Sequence, residues 1–237
     1  MKNKTLLITF SLLLLFQAGF AQAPPAIRKP SIYQSINDQQ ENGLTGVMKN
    51  GKWGFIDSTG KEICAIKYDE VGFFKDGIAA VTIKGKTGFI NATGKEITPL
   101  QFKEVRSFNE GYTAVLKDKK WGYIDTLGKL IIAFISDNPY PFIDNMVMIK
   151  KGTKYGFYYS NGEVGLPIIY DELNKFSEGL ALAKLKGRYG YVDRWDTVKI
   201  PFIYTKAYSF DNGVAIVTKN HKEYKIDATG KCVADCK

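Results

Sequence analysis

The chain has 237 residues, 45% of them hydrophobic and 24% charged, and its 33 Lys and Arg against 24 Asp and Glu give a formal charge of +9. Such a basic balance favours contact with acidic surfaces over acidic small substrates. The single histidine, His221, excludes a metal centre built from several histidines and leaves little from which to assemble a Ser/His/Asp triad.

Residues 1–23 read as a secretory signal, with Lys2 and Lys4 as the charged start, Leu6 to Phe16 as the apolar core and Ala21-Gln22-Ala23 as a small-residue cleavage site. The mature chain is then expected to begin near Gln22 or Pro24 and, without Lys2 and Lys4, to carry +7. The apolar core is shorter than the ~20 residues of a membrane-spanning helix, and no later stretch reaches that length. Export and release follow, to the periplasm or the exterior, with no integral span left after cleavage; an uncleaved anchor is the alternative. No cysteine closely follows the cleavage site, so there is no handle for lipid attachment. Residues 24–42 are assigned to a linker and a partial first repeat, and residues 43–237 to a repeat domain.

A 34-residue period governs that domain, with unit starts at Trp53, Thr87, Trp121, Tyr155 and Tyr189 and a degraded sixth start at Glu223. Each unit opens on a short strand with period-two alternation, Trp53 to Asp57 in the reference copy. A turn written Asp-x-x-Gly follows, as in Asp57-Ser58-Thr59-Gly60, Asp125-Thr126-Leu127-Gly128 and Asp227-Ala228-Thr229-Gly230. There the carboxylate accepts from the backbone ahead and Gly supplies a positive φ, so these aspartates read as structural. Phe then recurs at 74, 108, 142, 176 and 210, followed by an apolar run such as Ile78 to Ile83, expected to be a strand buried on both faces. Gly54, Gly88, Gly122, Gly156 and Gly190 sit inside strands, where Gly signals the close approach of another backbone or of an aromatic ring. A bulky residue there is expected to push units apart.

A period of 34 also suits helical hairpins, but the units are rich in Gly, aromatic and β-branched residues and carry no 3.6-residue apolar stripe. The fold class is therefore all-β: about six tandem β-hairpin units in an open, curved, solenoid-like array. A closed propeller-like ring is the alternative, since the array starts and stops mid-unit and two half-units can complete one blade.

The repeated core, K-W-G-F-I-D-x-x-G-K followed by Y-D-E-V-x-x-F-x-x-G-x-A-A-V, is clear in residues 53–86 and weaker across about 43–230. It resembles the WG-repeat family of bacterial proteins. The resemblance implies an all-β tandem repeat, often exported, and neither a shared enzymatic activity nor an agreed ligand.

One column is uniformly cationic: Lys52, Lys86, Lys120, Lys154, Arg188 and Lys222 precede the WG-like strands. Stacked units would align these six charges to track a polyanion such as an acidic glycan. Alternatively the stems cover aromatics and the heads pair with carboxylates. Arg194-Trp195 replaces small turn residues and offers an exposed aromatic for a sugar ring or a protein partner, unless it packs on an adjacent turn. Tyr140 lies in Asp137-Asn138-Pro139-Tyr140-Pro141, an irregular loop on a regular scaffold.

Asp69, Glu70, Asp171 and Glu172 fall at equivalent positions, which favours a repeated structural role over a glycosidase pair. No phosphate loop, dinucleotide fingerprint, calcium loop or nucleic-acid motif is present, so no cofactor, metal, catalytic residue or nucleic-acid partner is assigned. Cys64, Cys232 and Cys236 permit at most one disulfide; Cys232 and Cys236 can join only across a turn, whereas Cys64 with either would tie the first full unit to the last. The expected function is an exported, non-enzymatic binding or scaffolding protein that contacts a protein or glycan of the cell envelope. The rival is an envelope hydrolase using carboxylates.

Overall fold

The computed structural model describes residues 32–37 and 43–236, so the secretory signal and most of the 24–42 segment lie outside the described residues. Every regular element among them is a β-strand, and the strands form six four-stranded antiparallel sheets in simple sequential order. The sheets, numbered one to six along the chain, span 35–68, 70–102, 104–136, 142–170, 172–204 and 206–234. Sheet two is representative, with strands Glu70–Val71, Ile78–Ile83, Lys86–Asn91 and Glu96–Phe102. Thirty-four residues suffice for four strands because the first is only two residues long. The WG-like segment is the third strand, so the sequence period starts in mid-sheet. Ser35–Asn37 supplies the first strand of sheet one and Cys232–Ala234 the last of sheet six, making both terminal sheets complete.

Successive sheets share cores because the second strand is apolar on both faces. Ala79 and Val81 pack with Phe55 and Tyr68 of sheet one, while Ile78 packs with Phe108, Val115 and Ile124 of sheet three. The Phe column joins each junction to the preceding third strand, with ring centroids 4.7 Å apart for Phe55–Phe74, 5.2 Å for Phe89–Phe108 and 4.9 Å for Tyr191–Phe210. Such pairs add about 0.5–1.5 kcal/mol each beyond burial.

The array is open. On the face where other sheets present aromatics to their successor, sheet six carries Glu223 and Lys225, both exposed. At the opposite end Tyr33 packs over Val47 and Ile56, covering the face of sheet one that has no predecessor. No buried cluster joins sheet one to sheet six among the described residues. A ring would have to bury Glu223 and Lys225, whereas capped ends keep them in water.

Two local expectations find their physical form. The Asp-x-x-Gly carboxylate caps its turn: Asp57 Oδ1 accepts from Thr59 N at 2.8 Å and Lys61 N at 3.1 Å, and Asp227 Oδ1 from Thr229 N at 2.9 Å and Lys231 N at 3.0 Å. The strand glycines do face an approaching backbone, but it belongs to the same sheet. A Cβ on Gly156 would lie 2.6 Å from Leu166 O of the adjacent fourth strand, where the pairing shifts register. A bulky residue would therefore split third from fourth strand instead of pushing units apart. The contact between units is made by the turn glycines: a Cβ on Gly162, at φ +90°, would meet Ile131 O of the preceding sheet at 2.6 Å.

Cys232 and Cys236 form the disulfide across the terminal turn, Cα atoms 5.9 Å apart, and Cys64 is a half-buried free thiol.

Candidate functional site

Each four-strand meander puts the second-to-third hairpins and the links between sheets at one end of the array, and the other turns at the opposite end. The six hairpins, 49–52, 83–86, 117–120, 151–154, 185–188 and 219–222, hold thirteen of the 33 Lys and Arg against one acid, Asp118. The cation column thus belongs to a basic end.

Within that column the structure separates two groups. Lys52, Lys120 and Lys154 pair with Asp69, Asp137 and Asp171 in the following links. The second oxygen of each carboxylate accepts from the next hairpin: Lys84 N at 2.6 Å, Gly152 N at 2.6 Å and Gly187 N at 3.1 Å. Each aspartate is therefore a staple between two sheets, and its ammonium partner holds its carboxyl below the usual range. The equivalent link residues after Lys86 and Arg188 are Lys103 and Thr205, which cannot serve this role. Lys86, Arg188 and Lys222 make no ion pair among the described residues.

Three of the four carboxylates weighed for hydrolysis are locally engaged, Asp69 and Asp171 in the staples and Glu172 within its own sheet. Glu172 accepts from Lys184 Nζ and Tyr189 Oη, both at 2.8 Å. Buried Asp193 would be raised by desolvation, but the N–H of Thr197, the Lys199 ammonium and the N–H of Trp195 together hold it low. Among the described residues no group of three His, Cys, Asp or Glu has the arrangement to hold a metal ion.

At the other end, Pro139 alters sheet four. It stands where other first strands place a pairing residue such as Val105, and it has no N–H to donate. The first strand forms at Phe142–Ile143 instead, leaving Tyr140 and Pro141 beside the sheet. Burial pushes the hydroxyl of half-buried Tyr140 up. Tyr140 lines grooves on both sides of its sheet: one of about 160 Å³ towards sheet three, and one of about 220 Å³ towards sheet five with Pro141, Ile143, Met146, Met148, Phe157, Lys175 and Phe176. A groove of about 410 Å³ at the sheet two–three junction is crossed by the cations Lys75 and Arg106.

The sheet four–five notch differs from the grooves of its neighbours in one column legible in an alignment of units. Where Ile143 stands, other units place a donor that latches the next Phe carbonyl: Lys75 Nζ to Phe108 O at 3.4 Å, Asn109 Nδ2 to Phe142 O at 2.7 Å and Ser177 Oγ to Phe210 O at 2.8 Å. Ile143 has nothing to donate. Ile143, Met146, Met148 and Lys175 were not singled out from the sequence, although a break in a donor column is a signal that could have found them.

Trp195, 74% exposed, sits on the third-to-fourth turn of sheet five, at this same end. Two units earlier the equivalent pair, Thr126-Leu127, borders one groove with Asp76, Gly77 and Ile78, whose counterparts are Asp144, Asn145 and Met146. Tyr159, two residues beyond notch-lining Phe157, donates to Arg194 O at 2.6 Å. Arg194 and Trp195 thereby join Tyr140 at one junction, while the six cations lie at the opposite end.

A family model described as WG containing repeat matches residues 53–86, 88–121, 121–155, 155–189 and 189–222. No curated protein matches the chain. Among solved structures, a eukaryotic initiation factor is 14% identical over 81% of this chain and 62% of its own, with a TM-score of 0.41. Hsv2p of Kluyveromyces lactis is 7% identical over 82% and 74%, at 0.32. An extracellular domain assigned to a one component system of B. thetaiotaomicron is 10% identical over 84% and 35%, also at 0.32. The chain spans less than two thirds of the first and third of these proteins, and at such scores the likenesses carry no argument.

Proposed function

This chain belongs to the WG containing repeat family, and we propose that it is an exported, non-enzymatic scaffold whose basic end contacts an acidic protein or glycan of the cell envelope. The observation that carries the reading is the concentration of thirteen cations in the six hairpins at one end of the array. Ten of them, Lys86, Arg188 and Lys222 included, form no ion pair among the described residues, so a polyanion meets them without breaking a staple. Export rests on the signal-like residues 1–23. No helix among the described residues is long and apolar enough to cross a membrane.

The test is sedimentation of residues 24–237 with isolated cell envelopes and their separated wall, lipid and protein fractions at low and high salt, beside Lys86→Glu/Arg188→Glu/Lys222→Glu. Binding that weakens with salt and is lost in the variant is the expected result. Binding to no fraction sinks the reading, and binding indifferent to both changes removes the basic end from it.

A further inference from the structure

The geometry points to a second, independent binding site at the opposite end of the array: the junction of sheets four and five receives an extended segment of a protein partner, one large apolar side chain entering the notch and an adjacent acidic residue meeting Lys175 and Arg194. This does not rest on the envelope reading above, because no hairpin cation takes part.

Three observations converge. The notch has its own lining: Ile143 stands in a column of latching donors, and Met146 and Met148 stand where the sheet two–three junction has Ile78 and Ala80. Methionine is unbranched and polarizable, which suits a surface that adapts to an incoming group. Second, its size selects the occupant. About 220 Å³ lies below the ~300–1,000 Å³ of sites that enclose a whole small molecule, and matches one side chain better than a cofactor or an oligosaccharide. The lining is mostly apolar, Ile143, Met146, Met148, Phe157 and Phe176, with Asp144 and Lys175 as its charged groups. Third, residue types that dominate interface hot spots flank the notch: Tyr140 lines it, and Tyr159, paired with notch-lining Met146, tethers the turn that carries Arg194 and Trp195, the latter 74% exposed.

Charge sets the polarity of the segment. Lys175 and Arg194 are exposed at the junction, and neither forms an ion pair among the described residues. Asp144, on the notch wall, is available to a backbone N–H of the incoming strand.

The probes are two blocked pentapeptides, Asp-Gly-Phe-Asp-Gly and Asp-Gly-Ala-Asp-Gly, titrated into residues 24–237 with methyl NMR on Ile143, Met146 and Met148 and tryptophan fluorescence as readouts. Saturable shifts at these methyls with the Phe peptide, at least tenfold weaker with the Ala peptide, are expected. Lys175→Glu should weaken the Phe peptide about tenfold, and exposed Trp195→Ala by a similar factor without altering the fold. Met148→Trp, which fills the notch, should abolish the shifts at the remaining methyls, and Ile143→Asn, which replaces an apolar wall with the residue found at 109, should weaken them at least fivefold. Lys86→Glu/Arg188→Glu/Lys222→Glu should bind the peptide as wild type does. Equal response to both peptides, shifts confined to other methyls, or unchanged binding by Ile143→Asn and Met148→Trp would overturn the site, whatever the envelope experiment returns.

Discussion

The junctions between sheets three and four and between sheets four and five are built from the same repeat, yet one is latched at its turn end and the other is not. At the first, Asn109 Nδ2 donates to Phe142 O at 2.7 Å, and the Glu110 carboxylate accepts from Asp144 N at 3.2 Å and Asn145 N at 3.0 Å. At the second, Ile143 and Asp144 occupy those columns and make neither bond. Both junctions keep their staple at the hairpin end, through Asp137 and Asp171. The sheet spacing therefore comes from the shared aromatic and aliphatic core, and the turn-end latches are local devices that one junction omits.

The largest test of this contrast is a pair of equivalent truncations. Phe142→Ala removes a ring 2% exposed and should cost about 3–5 kcal/mol in denaturant unfolding. Phe176→Ala, at the half-buried wall of the notch, should cost less than half as much. Equal losses would mean that the notch is packed like its neighbour.

Exchanging the latch residues comes next. Asn109→Leu should destabilise by about 1–2 kcal/mol, since it leaves Phe142 O without its side-chain donor. Ile143→Asn should be neutral or stabilising by up to about 1 kcal/mol if the new amide reaches Phe176 O. A clear loss with Ile143→Asn would show that the notch residue contributes packing instead of vacancy.

The hairpin-end staples respond to acid alike at both junctions. Asp137 and Asp171 have folded pKa values below their unfolded value of about 3.9. Their contribution is therefore fully present above that value and is lost as pH falls through the folded pKa. Melting temperature should drop below about pH 4, and Asp137→Asn or Asp171→Asn should each flatten part of that drop by a similar amount. Smallest of all, Trp195→Ala should change stability by less than about 0.5 kcal/mol, because its side chain is largely in water.

Much of this was legible in the chain. The 34-residue step, the Asp57 and Asp227 turn caps and the two-faced burial of Ile78–Ile83 all follow from local pattern, and the structure bears them out. The first strands were not legible, because two residues such as Glu70–Val71 carry no period and become a strand only by pairing with Thr82 and Val81. The glycine column was read correctly as a close approach and wrongly as a contact between units. A backbone neighbour can be inferred from Gly, but not which strand supplies it.

The candidate sites divide in the same way. Sequence spacing alone aligned the six cations, since a repeat with no insertions must stack equivalent residues. Whether each was paired depended on the residue seventeen positions later: Asp69, Asp137 and Asp171 engage it, Lys103 and Thr205 do not. Tyr140 and Trp195 were flagged separately as departures from the pattern, and nothing in their 55-residue separation joins them. Periodicity along the chain determined what each unit is and how many there are, because strand, turn and core face are decided within a few residues of one another. Only the tertiary structure decided which departures meet, which junction carries an apolar notch, and that the array ends in capped faces instead of closing, because those outcomes depend on contacts between sheets.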